Sequence, residues 1–469
     1  MPGTGRDGKA KMFVLASAMR RALADAVNMD TIAAISTAPA EAAIALIRMS
    51  GPEALVIAEL LWRGKKSVAT LPPRFAAYGS IVEDGAKLDD VLLTTFRGPA
   101  SYTGEDMVEI ACHGGVLVSR RILAALLRRG ARSAEPGEFT QRAYMNGKLD
   151  LTQAEAVMDL IGAQTELALQ AAAEQLEGRL GDRIRALLQH VLEILAHVEA
   201  YIDFPDEDIS PDVGTALQAR MDSAKAEIES LLATANQGRL MREGVRTVIY
   251  GAPNVGKSSL LNLLLGFERA IVNARPGTTR DVLEETVNLR GIPVRLMDTA
   301  GVRDTEDEIE RAGIERTRRA LERADLVLHL FDASAPPTDE LPTTPGTVLR
   351  IINKADLGQH AAWAGAEVVR ISCLQNTGLD TLTDAIFSAV TAGAGRSDWS
   401  VAINARHQSC LERARGSLVV AQQALEDGLS PEFVAEDLRA TMNAIGDVVG
   451  RPDTEDVLGV IFASFCIGK

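Results

Sequence analysis

Cysteine is scarce, positive charge is outweighed by negative, and no apolar run is long enough to cross a bilayer. The four cysteines, Cys112, Cys373, Cys410 and Cys466, form no CxxC pair and no disulfide-like framework. Free thiols in a reducing, cytoplasmic setting are the expectation, with no membrane partner. A formal charge of −15 excludes broad, nonspecific attraction to nucleic acid, because phosphate contacts are supplied by Lys and Arg. Any RNA site must be a local patch. What is present is ordinary for a soluble protein, 46% hydrophobic and 24% charged, but 469 residues exceed what one core serves and imply two or three domains.

Residues 1–28 carry Arg6, Lys9, Lys11, Arg20 and Arg21 around the apolar run Met12–Ala18, a loose targeting pattern weakened by Asp7 and Asp25. They are read as a disordered extension, and Met29 is a second candidate start. From Asp30 to Lys148, β-like runs (Thr31–Ser36, Ala43–Met49, Val91–Phe96, Val108–His113) alternate with turns and the helical stretch Val116–Arg129. This is a small α/β domain, 29–148. Leu176, Leu180, Ile184, Leu187, Val191, Leu195 and Val198 then recur at steps of three and four, predicting one long amphipathic helix ended by Phe204-Pro205-Asp206. A second helix is expected from Val213 to Gln237, capped by Gly238. These form the first part of a helical domain, 149–240. Strands and helices alternate through an α/β domain at 241–394, and the chain is helical again over 395–469. The fold expected is multidomain α/β plus α, its helical domain discontinuous because the second α/β domain is inserted into it.

Gly251-Ala-Pro-Asn-Val-Gly-Lys257-Ser258 matches the phosphate-binding loop G-x-x-x-x-G-K-S/T and sits between the strand Val245–Tyr250 and a helix, as that motif requires. Gly251 and Gly256 let backbone N–H groups, including those near Val255 and Ser259, curl around phosphates. Lys257 neutralises the β- and γ-oxygens and Ser258 can ligate Mg²⁺. Asp298-Thr299-Ala300-Gly301 follows the strand Val294–Met297; its carboxylate suits the Mg²⁺ shell and the Gly301 N–H can sense a γ-phosphate. Asn353-Lys354-Ala355-Asp356 follows the strand Val348–Ile352, and the Asp356 carboxylate can accept both the N1–H and the exocyclic amine of guanine, a donor pair adenine lacks. Ser372-Cys373 would close over the base. Four pieces in this order, each at a strand end, specify a Ras-like G domain that binds GTP. Thr278 and Thr279, between the phosphate loop and Asp298, belong to a first switch in which Thr279 joins Mg²⁺. Val302 stands where Ras-like enzymes carry a water-orienting Gln, so another group must position the nucleophile; Glu306, Asp307, Glu308 and Glu310 are near, or form a solvated helix start.

Beyond these motifs, Ser101-Tyr-Thr-Gly-Glu-Asp, Glu109-Ile-Ala-Cys-His-Gly-Gly115, Pro136-Gly-Glu-Phe-Thr-Gln-Arg-Ala-Tyr144, Asn146-Gly-Lys-Leu-Asp-Leu-Thr-Gln-Ala-Glu-Ala156 and Cys466-Ile-Gly-Lys469 resemble the MnmE (TrmE) family of bacterial and mitochondrial tRNA-modification GTPases. The resemblance spans Asp30 to Lys469. It implies an N-terminal domain that homodimerises and binds 5-formyl-tetrahydrofolate or methylene-tetrahydrofolate, and a flavoprotein partner, MnmG, in a heterotetramer. With it the family adds an aminomethyl or carboxymethylaminomethyl group to C5 of the wobble uridine, U34, of tRNA. It implies folate contacts from Arg48, Glu109, Lys148 and Lys469, and a role for the Cys466 thiol near the folate. On spacing alone the alternatives are a surface ion pair for Arg48 and a buried small hydrophobe for Cys466. The family's glycine-rich turn is here Pro39-Ala-Glu-Ala-Ala43, which puts the loop's shape and folate binding in question.

In the G domain the resemblance implies Glu310 as the carboxylate that orients water. It also implies K⁺ held by Asn254, Asn273, Arg275 and Thr278 in place of an arginine finger when two G domains pair. Arg120, Arg121, Arg128, Arg129 and Arg132 cluster without an intervening acid, as a tRNA contact or a solvated helix face. The competing reading is a ribosome-assembly or regulatory GTPase acting as a binding switch, for which no KH-like segment is found.

Overall fold

The computed structural model describes residues 30–203, 213–267, 284–297, 317–337, 343–391, 402–450, 461–462 and 465–468. The expectations placed on residues 1–28, on Phe204–Asp206 and on both switch segments lie outside them. Two compact units result: residues up to Glu155 together with Val449–Lys469, and Ala156–Val448.

The first unit is built on a seven-stranded sheet of order β3-β4-β5-β6-β2-β1-β7. Its strands are β1 (Ile32–Ile35), β2 (Ile44–Ser50), β3 (Trp62–Gly64), β4 (Ala77–Glu83), β5 (Ala86–Phe96), β6 (Met107–His113) and β7 (Arg132–Ser133). All neighbours are antiparallel except β1 and β7. Alternation decides the faces. Ala45, Ile47 and Met49 of β2 and Val108, Ile110 and Cys112 of β6 join helices α1 (Ala54–Leu61) and α2 (Val116–Arg128) in one core, through Ile57, Leu61, Ile122 and Leu126. The intervening residues, including Leu46, Arg48, Glu109 and Ala111, point to the other face. Part of that face is covered by α3 (Glu138–Met145), whose Phe139 is buried with Ile32, Ala34 and Met107.

The backbone at Pro39–Ala43 needs no glycine-permitted geometry. None of these residues adopts a positive φ. The Ala42 amide donates to the Gly114 carbonyl, and the Gly114 amide to that of Ala43. A Cβ on Gly114 would lie 2.2 Å from the Ala42 carbonyl oxygen, so the close approach is made by a glycine on the facing strand end.

In the second unit, strands β8 (Val245–Tyr250), β9 (Glu284–Leu289), β10 (Ile292–Met297), β11 (Leu326–Asp332), β12 (Thr347–Asn353) and β13 (Val369–Arg370) form a sheet of order β13-β12-β11-β8-β10-β9. It is parallel except for the β9–β10 hairpin, so β8, β11, β12 and β13 all end at one edge. Ligands of open parallel sheets bind beyond that edge.

Helices α4 (Leu151–Gly162), α5 (Glu166–Leu176), α6 (Arg179–Asp203), α7 (Val213–Ala233) and α8 (Ala235–Glu243) precede this sheet. Helices α9 (Lys257–Phe267) and α10 (Leu379–Thr391) flank it, and α11 (Ala405–Glu426) and α12 (Pro431–Val449) follow. Helices on either side of the sheet in sequence meet in space: α7 packs on α6 and on α11, with Gln422 donating to Asp222 and Arg439 paired with Glu199.

Two helix expectations are corrected. Gly178, at φ 94°, separates α5 from α6, so Leu176 ends one helix and the buried stripe from Leu180 to Val198 belongs to the next. Gly238 caps nothing: α8 runs through it to Gly244, whose φ is 77°. A Cβ at Gly238 would lie 2.3 Å from the Ile403 carbonyl oxygen, so close packing, not a left-handed cap, selects glycine there.

Candidate functional site

The loop after β8 has the strained geometry that its glycines permit. Gly251 has φ 151° and Gly256 φ 103°, while Asn254 between them is left-handed at 65°. A Cβ at Gly251 would lie 2.2 Å from the Leu330 carbonyl oxygen, and one at Gly256 2.2 Å from Asn353 Nδ2. The loop leads into α9, so its amides and the helix N-terminus face a common space, which suits anionic phosphate. The Lys257 ammonium donates to the carbonyls of Gly251 and Ala252, both at 2.8 Å, which lays its stem across the loop. Val255 is buried beneath, and Ser258 and Ser259 are exposed at the helix start.

The Asn353 side chain joins three segments. Only 3% exposed, it donates from Nδ2 to the Val255 carbonyl at 2.9 Å and accepts at Oδ1 from the Cys373 amide at 3.0 Å. It thereby locks the phosphate loop to the segments after β12 and β13. Ser372, 1% exposed, donates to Asp356 Oδ1 at 2.5 Å and aims that exposed carboxylate. Lys354 is left-handed, at φ 63°, and its ammonium pairs with Asp332 Oδ2 at 2.7 Å. Burial raises the Cys373 thiol above its usual range, so at neutral pH it stays protonated.

In the first unit Arg48 and Glu109 are direct cross-strand partners. The guanidinium donates through Nε and Nη2 to the same oxygen, Glu109 Oε1, at 3.0 and 2.8 Å. Both side chains are mostly covered, 15% and 22% exposed. The guanidinium stands 5.4 Å from the Tyr102 ring centre and 5.8 Å from that of Phe139, within cation–π range. Tyr102 and Thr140 share a hydroxyl hydrogen bond of 2.9 Å. Lys148 is exposed and donates to the Pro99 carbonyl at 3.1 Å, at the rim of the loop carrying Tyr102.

The C-terminal residues reach this unit. Ile467 bridges Pro136, Ser36 Oγ donates to the Gly468 carbonyl at 3.1 Å, and a Cβ on Gly137 would lie 2.9 Å from the Phe465 Cβ. Cys466, between these anchors, is exposed, not the buried hydrophobe that spacing also allowed.

Two family models match, the MnmE helical domain over residues 151–466 and the GTP-binding protein TrmE N-terminus over residues 31–148. The chain is 50% identical over 446 residues to the tRNA modification GTPase MnmE of Akkermansia muciniphila, covering 94% of this chain and 99% of that one. The chain belongs to the MnmE (TrmE) family. MnmE relatives named in the same way from Clostridioides difficile and Bacillus licheniformis are each 44% identical, over 455 and 459 residues, across 94% of this chain. Those matches cover 99% and 100% of the two relatives. Among solved structures, a point variant of Aquifex aeolicus Era bound to GDP.AlF4⁻ aligns at 25% identity over 38% of this chain and 65% of that one. Its TM-score is 0.23, which carries no conclusion about this chain.

Of the residues expected to serve MnmE function, the structure gathers Gly251, Asn254, Val255, Gly256, Lys257, Ser258, Ser259, Asn353, Lys354, Asp356 and Ser372 at one sheet edge. It also pairs Arg48 with Glu109. Asn273, Arg275, Thr278, Thr279, Asp298, Thr299, Ala300, Gly301, Glu310 and Lys469 lie outside the described residues, as do Val302, Glu306, Asp307 and Glu308. The arginine cluster is largely neutralised in space by acids distant in sequence. Arg128 forks onto Glu83, Arg129 pairs with Asp84, and Arg132 pairs with Asp30 and Glu138. Of that group only Arg120 and Arg121 are exposed cations with no ion pair among the described residues. Sequence reading missed Tyr102 and Phe139 as supports of Arg48, although both lie inside motifs that carry the family resemblance. It also missed Asp332, whose only signal is its place at the end of a strand beside Asn353.

Proposed function

We propose that this MnmE family member is a GTP-hydrolysing tRNA-modification enzyme acting with the flavoprotein MnmG in a heterotetramer. Its product would be an aminomethyl or carboxymethylaminomethyl group on C5 of the wobble uridine U34 of certain tRNAs. The observation that carries the GTPase half is the Asn353 tether, which holds a phosphate cradle and a guanine-reading carboxylate, Asp356, in one frame. The modification half is supported by the match of the N-terminal model and by the docking of the Cys466 segment on Ser36, Pro136 and Gly137, in the same compact unit as Arg48 and Glu109. That same match weighs against a ribosome-assembly switch. The assignment of 29–148 to an N-terminal domain, 149–240 and 395–469 to a helical domain, and 241–394 to an inserted G domain belongs to this reading.

In the G domain Gly251, Val255, Gly256, Lys257 and Ser259 would bind the phosphates, and Ser258 and Thr279 would hold Mg²⁺. The segments containing Thr278 and Asp298–Gly301 would serve as switches that read the γ-phosphate, and Glu310 would orient the attacking water. K⁺ would supply positive charge at the developing γ-phosphate negative charge, near Asn254, Asn273, Arg275 and Thr278. Hydrolysis in KCl is therefore expected to exceed that in NaCl by roughly a hundredfold, on the scale of one lost transition-state charge partner. Equal rates in the two salts would refute K⁺ dependence.

The donor set in the first unit suits a folate. Glu109 Oε2 has no hydrogen bond among the described residues and lies beside a fixed guanidinium, an arrangement that can pair with an amino-pyrimidine edge. Lys148 and Lys469 would take the anionic tail, and the folate would supply the one-carbon unit. Homodimerisation is supported by an open apolar row on the same sheet face. Leu46, Ala111, Leu92 and Tyr78 are register partners across β2, β6, β5 and β4, with Leu92 44% and Tyr78 70% exposed. Cys466→Ser is the deciding variant: it should hydrolyse GTP at the parental rate while mass analysis of cellular tRNA finds the modified wobble uridine lost. Undiminished modification would remove Cys466 from the chemistry.

A further inference from the structure

Resting on the assignment of Asn353–Asp356 to guanine recognition, we infer that Asp332 is a positioning residue for that site: it holds the Lys354 ammonium away from Asp356 and fixes the lysine stem beside the base. Asp332 ends β11 opposite Asn353 in the parallel β11–β12 register. Its Oδ1 is saturated by the Ser334 amide at 2.9 Å and hydroxyl at 2.6 Å, so Oδ2 alone faces Lys354, at 2.7 Å. The turn that carries it is pinned at two points by the segment His360–Trp363. Trp363 Nε1 donates to the Ala335 carbonyl at 2.8 Å, and the His360 amide to the Ala333 carbonyl at 2.8 Å. Trp363 is buried with Phe331, Ala333 and Ile352. The acid is thus an immobile anchor for a flexible side chain.

Lys354 lies two residues from Asp356, whose second oxygen must stay open for a guanine edge. A released ammonium would find that carboxylate the nearest anion in the loop and would compete with the base for it. Clamped to Asp332, the lysine instead presents its four-carbon stem as a preformed apolar shelf. Burial works against ionisation of Asp332, but the hydrogen bonds from Lys354 and Ser334 outweigh it and keep the carboxyl below its usual range, so the clamp is charged throughout the neutral region.

Asp332→Asn tests this, because the amide oxygen can still accept from Ser334 while the charge facing Lys354 disappears. Releasing one long side chain corresponds to about a three- to tenfold loss of affinity. In the full chain, fluorescent GDP and GTP analogues should weaken equally by that factor. The rate at saturating GTP should hold, the unfolding temperature of the free protein should stay within a few degrees of the parent, and Asp332→Glu should recover part of the loss. Unchanged affinity in Asp332→Asn overturns the inference, as does a loss confined to GTP. Asp356→Asn, measured alongside, should exchange guanine for xanthine, whose C2 carbonyl accepts from an amide. If that exchange fails, the guanine assignment itself fails, whatever Asp332 does.

Discussion

Arg142→Met is expected to lower the unfolding temperature of the first compact unit by roughly 10 °C or more, read by calorimetry on the full chain. Binding of a fluorescent GDP analogue by the second unit should stay unchanged. Arg142 is fully buried, and its guanidinium serves Asp30 at 2.6 Å, Glu138 at 2.9 Å, Glu105 at 3.2 Å and the Asp30 carbonyl at 3.0 Å. Arg132 shares Asp30 and Glu138, and Ser50 donates to Glu105. Two guanidiniums thus balance three carboxylates, of which Glu105 and Glu138 are 11% and 7% exposed. Removing one partner of such a set leaves buried charge uncompensated, which costs about 3–5 kcal/mol, or roughly 2–4 °C per kcal/mol in a unit of this size. Adding Glu105→Gln and Glu138→Gln to Arg142→Met should restore part of the loss. A triple variant no more stable than Arg142→Met would show that the arginine acts by packing alone.

The same cluster sets an acid limit. Burial opposes ionisation of Glu138 and Asp30, yet hydrogen bonds from Arg132 and Arg142, and for Glu138 also from the Glu135 amide, prevail and depress both carboxyls. Depressed carboxylates contribute stability that is fully present above the unfolded range, near pH ~4, and is lost as pH falls through the folded values. The first unit should therefore hold its stability down to mildly acidic pH and lose it steeply below, and Arg142→Met should flatten that descent.

Gly256→Ala is expected to weaken guanine nucleotide binding roughly a hundredfold, followed by fluorescent GDP titration. At φ 103° an alanine is strained, which costs on the order of 1–3 kcal/mol, and its Cβ would lie 2.2 Å from Asn353 Nδ2. Asn353 cannot swing aside cheaply, because it is held at both ends by Val255 and Cys373. Breaking that tether adds about 1 kcal/mol, and the sum matches two decades of affinity. Affinity within threefold of the parent would mean that the loop adjusts and the tether is dispensable.

Much of the nucleotide site is legible in sequence because each of its pieces is local. A glycine pair with Lys257 and Ser258 needs only the strand before it and the helix after it, and β8 and α9 are there. Val348–Ile352 and Val116–Arg129 likewise fall inside β12 and α2 to within a residue, since a continuous apolar run and a helical stripe are strong signals. What was not legible depends on partners distant in sequence. Asp332 reads as an ordinary strand-end acid until β11 and β12 are placed side by side. Arg128, Arg129 and Arg132 read as an open basic face until Glu83, Asp84 and Asp30 fold over them. Gly238 looks like a cap because the Ile403 carbonyl against which it packs is far along the chain.

The seat of the C-terminal segment has a consequence for how the molecule is made. Ser36 and Gly468 are 432 positions apart, yet they share a hydrogen bond within one compact unit. A ribosome delivers the β1 end and the Pro136–Gly137 seat early and the residues that fill them far later. The first unit therefore stays unfinished while the whole of the second, Ala156–Val448, is being made. A fragment ending near Lys148 would be released with the Gly137 seat empty. Only a molecule translated through Gly468 can bring Cys466 to its station, so the fold itself separates chains that carry this segment from those cut short before it.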